Sequence, residues 1–167
     1  VLLSSTSAAA EEPILGPAIE GYGPTFAVAD RDVPVLKDTV YRTVFDAASH
    51  PEDMTALNNK LVSVARFLNM HARSGTPLEH LEIAVVVHGR ALASVLSNAA
   101  HEARHGVDNP NLELVQKLAD AGVAFYVCGQ SLGFRGIGKS ELVDQARVSL
   151  SAMTMLTELQ NQGYALI

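Results

Sequence analysis

The chain has 167 residues, 12 basic against 18 acidic for a formal net charge of −6, with 48% apolar and 18% charged residues, which describes one compact domain with a sizeable core rather than a disordered chain. The acidic balance and the scarcity of Lys/Arg runs disfavour nonspecific nucleic-acid binding, and the lack of Trp with 5% aromatic residues leaves little surface for stacking single-stranded bases. No apolar stretch approaches the ~20 residues of a bilayer span, and a single cysteine, Cys128, excludes an intrachain disulfide and a four-thiolate metal site.

Residues 1–12 pass from apolar Val1-Leu2-Leu3 through Ala8-Ala9-Ala10 to Glu11-Glu12. That order matches the tail of a secretory signal followed by a small-residue cleavage site, so the segment reads as a signal-peptide remnant or a disordered start. The expected location is periplasmic or exported, with cytoplasmic as the alternative. Residues 13–38 hold Pro13, Pro17, Pro24 and Pro34 with Gly16, Gly21 and Gly23, which forbids a continuous helix and predicts an extended arm. Its Ile14, Leu15, Tyr22 and Phe26 give the arm apolar surface to bury on its own domain or on a neighbouring subunit.

From residue 39 to 167 short apolar runs alternate with stretches of helical period, the pattern of a parallel sheet covered by helices. Thr39 to Phe45 is the first expected strand. Pro51-Glu52-Asp53 opens a helix that places Leu57, Leu61, Val64, Ala65 and Leu68 on one face and ends near Ser74-Gly75. Ile83 to Val87 is apolar throughout, as a strand buried on both faces should be. A helix carrying Leu92, Val95, Leu96 and Ala99 runs to Gly106, and another opens at Asp108-Asn109-Pro110 and closes at Gly122. Val123 to Val127 is the third strand. A glycine-rich loop follows, then a short helix at Glu141 to Gln145, a fourth strand at Arg147 to Leu150, a helix from Ala152 to Gln162 and a fifth strand at Tyr164 to Ile167.

Ligands of open parallel sheets bind outside the carboxyl ends of the strands. The residues there are Asp46, His88-Gly89, Cys128-Gly129-Gln130-Ser131 and Ser151. Paired strands lie about 4.8 Å apart, so pairing of the second and third would bring His88 near Cys128. An imidazolium, or the N–H groups of a loop entering a helix, lowers a thiol's pKa and exposes a thiolate. The opposing reading is a cysteine that serves as a small buried hydrophobe.

Two short strings also match known patterns. His101-Glu102-Ala103-Arg104-His105 satisfies H-E-x-x-H, the zinc-hydrolase pattern, but no third ligand is evident at a familiar spacing, and no metal site is expected. Gly133 to Ser140 satisfies G-x-x-x-x-G-K-[ST], the phosphate loop, but begins several residues past the strand end and lacks a downstream strand ending in Asp. His50 and His80 sit beside turns and His71 near a helix end. None of these three carries a functional signal.

Val85-Val86-Val87-His88-Gly89, Gly106 to Leu112, Tyr126-Val127-Cys128-Gly129-Gln130-Ser131-Leu132, Leu150 to Thr154 and Gln162 to Ile167 occur in an order that resembles the DsrE/DsrF-like family over residues 39–167. The resemblance implies a three-layer α/β/α sandwich on a mainly parallel five-stranded sheet, assembled as a homotrimer or homohexamer. It also implies a sulfur-relay role in which Cys128 carries a persulfide. The expected site is therefore Cys128 and His88 as the reacting pair, with Gly89, Gly129, Gln130, Ser131 and Ser151 as binding residues and no cofactor. The partners would be further copies of the chain and a sulfur donor or acceptor, whether protein or small sulfur species. The alternative is a non-catalytic, oligomeric module that binds a small ligand or partner segment and whose cysteine is structural.

Overall fold

The computed structural model describes residues 12–36 and 38–167; the expected signal-peptide segment thus lies almost wholly outside the described residues. Five strands form one sheet, β1 (Tyr41–Ala47), β2 (Leu81–Val87), β3 (Ala124–Cys128), β4 (Ala146–Ser149) and β5 (Ala165–Leu166), in the order β4-β3-β2-β1-β5. All four pairings are parallel. The helices are α1 (Asn59–Arg73), α2 (Asn98–His105), α3 (Leu112–Asp120), α4 (Gly129–Arg135) and α5 (Ala152–Asn161).

Side chains alternate across the sheet, and the two faces are filled differently. Phe45, Val85, Val87, Phe125 and Val127 pack with Leu61, Val64 and Leu68 of α1 and Leu114 and Leu118 of α3 in the larger core. On the other face Val44, Ala84, Val86 and Cys128 meet Ala152 and Leu159 of α5. The result is the three-layer α/β/α arrangement on a parallel five-stranded sheet, with a thick layer on one side and the single helix α5 on the other.

Four local expectations are corrected. The first helix begins at Asn59 instead of at Pro51 because Asp53 Oδ1 accepts the Thr55 N–H at 2.8 Å, closing a separate turn, and Asn58 is the cap whose side chain accepts the Lys60 N–H. Asn58 is buried, with Nδ2 donating to Ser94 Oγ at 2.8 Å and to the Ser49 carbonyl at 3.0 Å. The helix expected through Leu92 to Gly106 is broken into a 3₁₀ segment (Gly89–Val95) and α2. Asn109 Nδ2 donates to the Leu96 carbonyl at 2.7 Å, and Ser97 caps α2, so the backbone groups that would continue a helix are bonded elsewhere.

The glycine-rich stretch after β3 is the helix α4, not a loop. Residues 141–145 hold no α-helix, since a 3₁₀ turn (Lys139–Glu141) is followed by an isolated antiparallel bridge between Leu96 and Leu142. Gly136 ends α4 at φ +57°, a left-handed conformation that favours glycine. The phosphate-loop string therefore covers a helix C-terminus. Its dipole is of the wrong sign to receive phosphate.

The proline-rich arm doubles back between Ile14 and Thr25, which form an antiparallel bridge. Its buried apolar anchor is Ile19, whereas Ile14, Leu15 and Phe26 stay exposed. Asn69 of α1 holds the turn: Oδ1 accepts the Ile19 N–H at 2.8 Å, and Nδ2 donates to the carbonyls of Tyr22 at 2.8 Å and Gly23 at 3.0 Å. Gly23, at φ +60°, lies so close to the Ala65–Arg66 backbone that a Cβ has no room. Asn69→Ala would strand these buried backbone groups. We expect a loss of about 2–4 kcal/mol in urea unfolding and faster proteolysis within residues 13–38.

Candidate functional site at the strand ends

Parallel register aligns the carboxyl ends of the central strands. Asp46 pairs with Val86 and Val87 with Val127, so His88 and Cys128 follow as neighbours at the next step. By alternation Asp46, His88 and Cys128 belong to the α5 face. The expected proximity of the histidine and cysteine segments is thus present in the backbone.

The polar bonds distribute differently from the expected pair. His88 Nε2 lies 2.7 Å from Asp46 Oδ1, so the imidazole is oriented by the carboxylate at the end of β1. Cys128 ends β3 and caps α4, and its Sγ accepts the Ser131 N–H at 3.4 Å. The residue is 5% exposed. Burial is the largest influence on this thiol and pushes its pKa up. The Ser131 hydroxyl and the backbone N–H groups of Ser131, Ala152 and Gln130 together outweigh it and hold the pKa below the usual thiol value. His88 is not among those causes.

Ser131 links the two strand ends, because its Oγ also accepts the Gly89 N–H at 3.3 Å. Gly89 adopts φ +56°, and a Cβ there would meet the Ala48 carbonyl at 2.8 Å. Gly129 is required for close approach instead: its Cβ would lie 2.8 Å from the Ser149 carbonyl oxygen. Gln130 reaches back to the Leu150 carbonyl at 3.4 Å, and Ser151 caps α5 by accepting the Thr154 N–H at 3.0 Å. Cys128 Sγ therefore sits where the first turns of α4 and α5 converge. An anion on sulfur is favoured there by donors that need not move.

Two contributors escape sequence reasoning. Asp46 stood among the strand-end residues, but nothing local paired it with His88. The Ala152 N–H has no side-chain signature at all. The zinc-type string forms a histidine pair on α2, with ring centroids 4.7 Å apart, in which fully buried His101 bonds the Val107 carbonyl at 2.7 Å. Among the described residues no group of three His, Cys, Asp or Glu side chains could hold a metal ion.

Removing the Ser131 hydroxyl tests the thiol's environment. Because that group favours the thiolate, Ser131→Ala raises the Cys128 pKa. We expect alkylation by iodoacetamide at neutral pH to slow several-fold, with the wild-type rate recovered at higher pH.

Solved structures with the same fold include two proteins. One is a protein of unknown function, MTH1491 from Methanobacterium thermoautotrophicum, at a TM-score of 0.55 and 22% identity over 76% of this chain and 97% of its own. The other is the ychN protein from E. coli, at 0.54 and 15% identity over 75% of this chain and 96% of its own. No curated protein matches the sequence. The family model of the DsrE/DsrF-like proteins matches residues 40–167, which spans all five strands of the sheet, and the chain belongs to that family.

Proposed function

We propose that the protein is a sulfur carrier of the sulfurtransferase type, in which Cys128 accepts sulfane sulfur as a persulfide and hands it on. Family membership supports a sulfur-relay role in general terms. The observation that carries the specific reading is the bonding of the thiol: a buried sulfur whose pKa is nonetheless lowered by the Ser131 hydroxyl and three backbone donors. The thiolate is the nucleophile of sulfur exchange.

In the loading step the Cys128 thiolate attacks the terminal sulfur of a donor persulfide, R–S–SH. The new Sγ–S bond forms as the donor's S–S bond breaks, and R–S⁻ leaves with the electron pair. Cys128 becomes Sγ–S–H, and no external oxidant or cofactor is consumed. With thiosulfate as donor, sulfite is the leaving group. The N–H groups that receive the thiolate are placed to hold the anion of the bound persulfide, with Gly129 and Gln130 lining one side and Ser151 the other. His88, oriented by Asp46, stands at the neighbouring strand end, and we assign it to proton delivery to the leaving group or the acceptor.

The low exposure of Cys128 favours a second reading, a non-catalytic binding module with a structural thiol. Intact mass decides between them. After incubation with thiosulfate or polysulfide the wild type should gain about 32 Da per sulfur, reversibly by reductant, and Cys128→Ser should gain nothing. No gain in wild type, under conditions that load a known carrier, selects the structural reading.

The same proposal includes self-association as a homotrimer or homohexamer. Met153 on α5 is 77% exposed and Leu150 just before that helix 71%, while Phe134 on α4 is 92% exposed, apolar surface that a subunit interface would bury. We expect sedimentation to give a native mass of three or six chains and Met153→Glu to shift it downward. The donor and acceptor remain protein or small sulfur species. A periplasmic or exported location, with a cytoplasmic alternative, is part of the proposal and rests on residues 1–12. No helix among the described residues is long and apolar enough to cross a membrane.

A further inference from the structure

A cleft of about 410 Å³ lies beside the strand ends, reached across Gly89 from the Ser131 hydroxyl. Its polar lining is Arg90, Arg104 and Arg135 with His105, and no Asp or Glu lines it. The apolar part of its lining is formed mainly by Leu92, Leu96 and Ile137. The volume falls in the range of small-molecule sites.

Charge makes this cleft unusual in this protein. The chain as a whole is acidic, at −6, yet three of its 12 basic residues converge on one concavity. Arg104 is already fixed: its Nε and Nη2 bond the Glu141 carboxylate at 2.9 and 3.0 Å, and Nη2 donates to the Gly136 carbonyl at 2.8 Å. One carboxylate thus answers three guanidiniums. Among the described residues the side chains of Arg90 and Arg135 have neither hydrogen bond nor ion pair. Like charges gathered in one concavity repel one another unless an anion joins them, and the planar fork of arginine matches carboxylate, phosphate and sulfonate oxygens.

We propose that this cleft binds a small organic anion, with its oxyanion head on Arg90, Arg135 and the pre-positioned Arg104 and its compact apolar body against Leu92, Leu96 and Ile137. At His105 burial first, and then the neighbouring His101, His50 and Arg104, hold the pKa below the usual histidine value. The inference goes beyond the sulfur-carrier reading and stands without it, since it uses neither Cys128 nor His88.

Phenyl phosphate is a suitable probe, with inorganic phosphate as its anionic half and benzyl alcohol as a neutral aromatic analogue. Calorimetric titration of the full chain should show saturable binding of phenyl phosphate, weaker binding of inorganic phosphate and none of benzyl alcohol. The Arg90→Gln/Arg135→Gln double variant should bind phenyl phosphate at least about tenfold more weakly, through loss of charge-assisted hydrogen bonds. Both side chains are exposed and unpartnered, so this variant should keep the wild-type melting temperature. Arg147→Gln, on the exposed side of β4, should bind as the wild type does. Absence of saturable binding, or equal affinity in the double variant, overturns the proposal. Equal affinity for inorganic phosphate removes its apolar half, and binding of benzyl alcohol as tight as that of phenyl phosphate removes its anionic half.

Discussion

The shared register of β1, β2 and β3 is the constraint on which the rest depends. Parallel pairing without a bulge ends the three strands at the same level, Ala47 beside Val87 and Val87 beside Val127. Every residue one step further is then delivered to a common rim. A one-residue slip would turn Cys128 from the α5 face to the opposite core and separate it from the first turn of α5. Burial of both faces makes such a slip costly, because Val85 and Val86 occupy opposite cores and both are fully buried.

The rim is held by close backbone approaches rather than by large side chains. Gly89 and Gly129 each bring a chain segment within 2.8 Å, Cβ to carbonyl oxygen, of a neighbouring strand end, had either carried a side chain. That proximity lets one hydroxyl, Ser131, touch both the thiol and the Gly89 N–H. The thiol consequently feels two opposed influences, burial and directed donors, and the donors prevail. A cysteine in the same core without them would be an inert hydrophobe.

The uneven layers have consequences for both surfaces. The thick side, with α1 and α3, secures stability through the larger core and clamps the arm by Asn69. The thin side has α5 alone, leaving apolar residues such as Met153 and Leu150 in water. The cationic cleft opens next to the rim, where the 3₁₀ segment after β2, the end of α2 and the end of α4 converge. Its basic residues come from three separate elements. The rim that carries Cys128 and this cleft therefore adjoin across Gly89.

The all-apolar run from Ile83 to Val87, the order of the strands and the position of Cys128 at a strand end were legible in the sequence, because periodicity reports how many faces of an element are buried. The strand-end set from His88 to Ser151 followed from the same rule for parallel sheets. Helix boundaries did not follow. Asn58 and Ser97 displaced them, and each depends on partners distant in sequence, such as Asn111 and Glu141, that compete for backbone groups. The glycine-rich stretch looked like a loop since propensity records glycine's freedom, while its use here is a close contact with Ser149. The bond from His88 to Asp46, the Ala152 donor at the thiol and the meeting of Arg90, Arg104 and Arg135 were decided by tertiary structure alone. Each joins groups whose separation along the chain carries no pattern, and only folding brings them within hydrogen-bonding or Coulombic range.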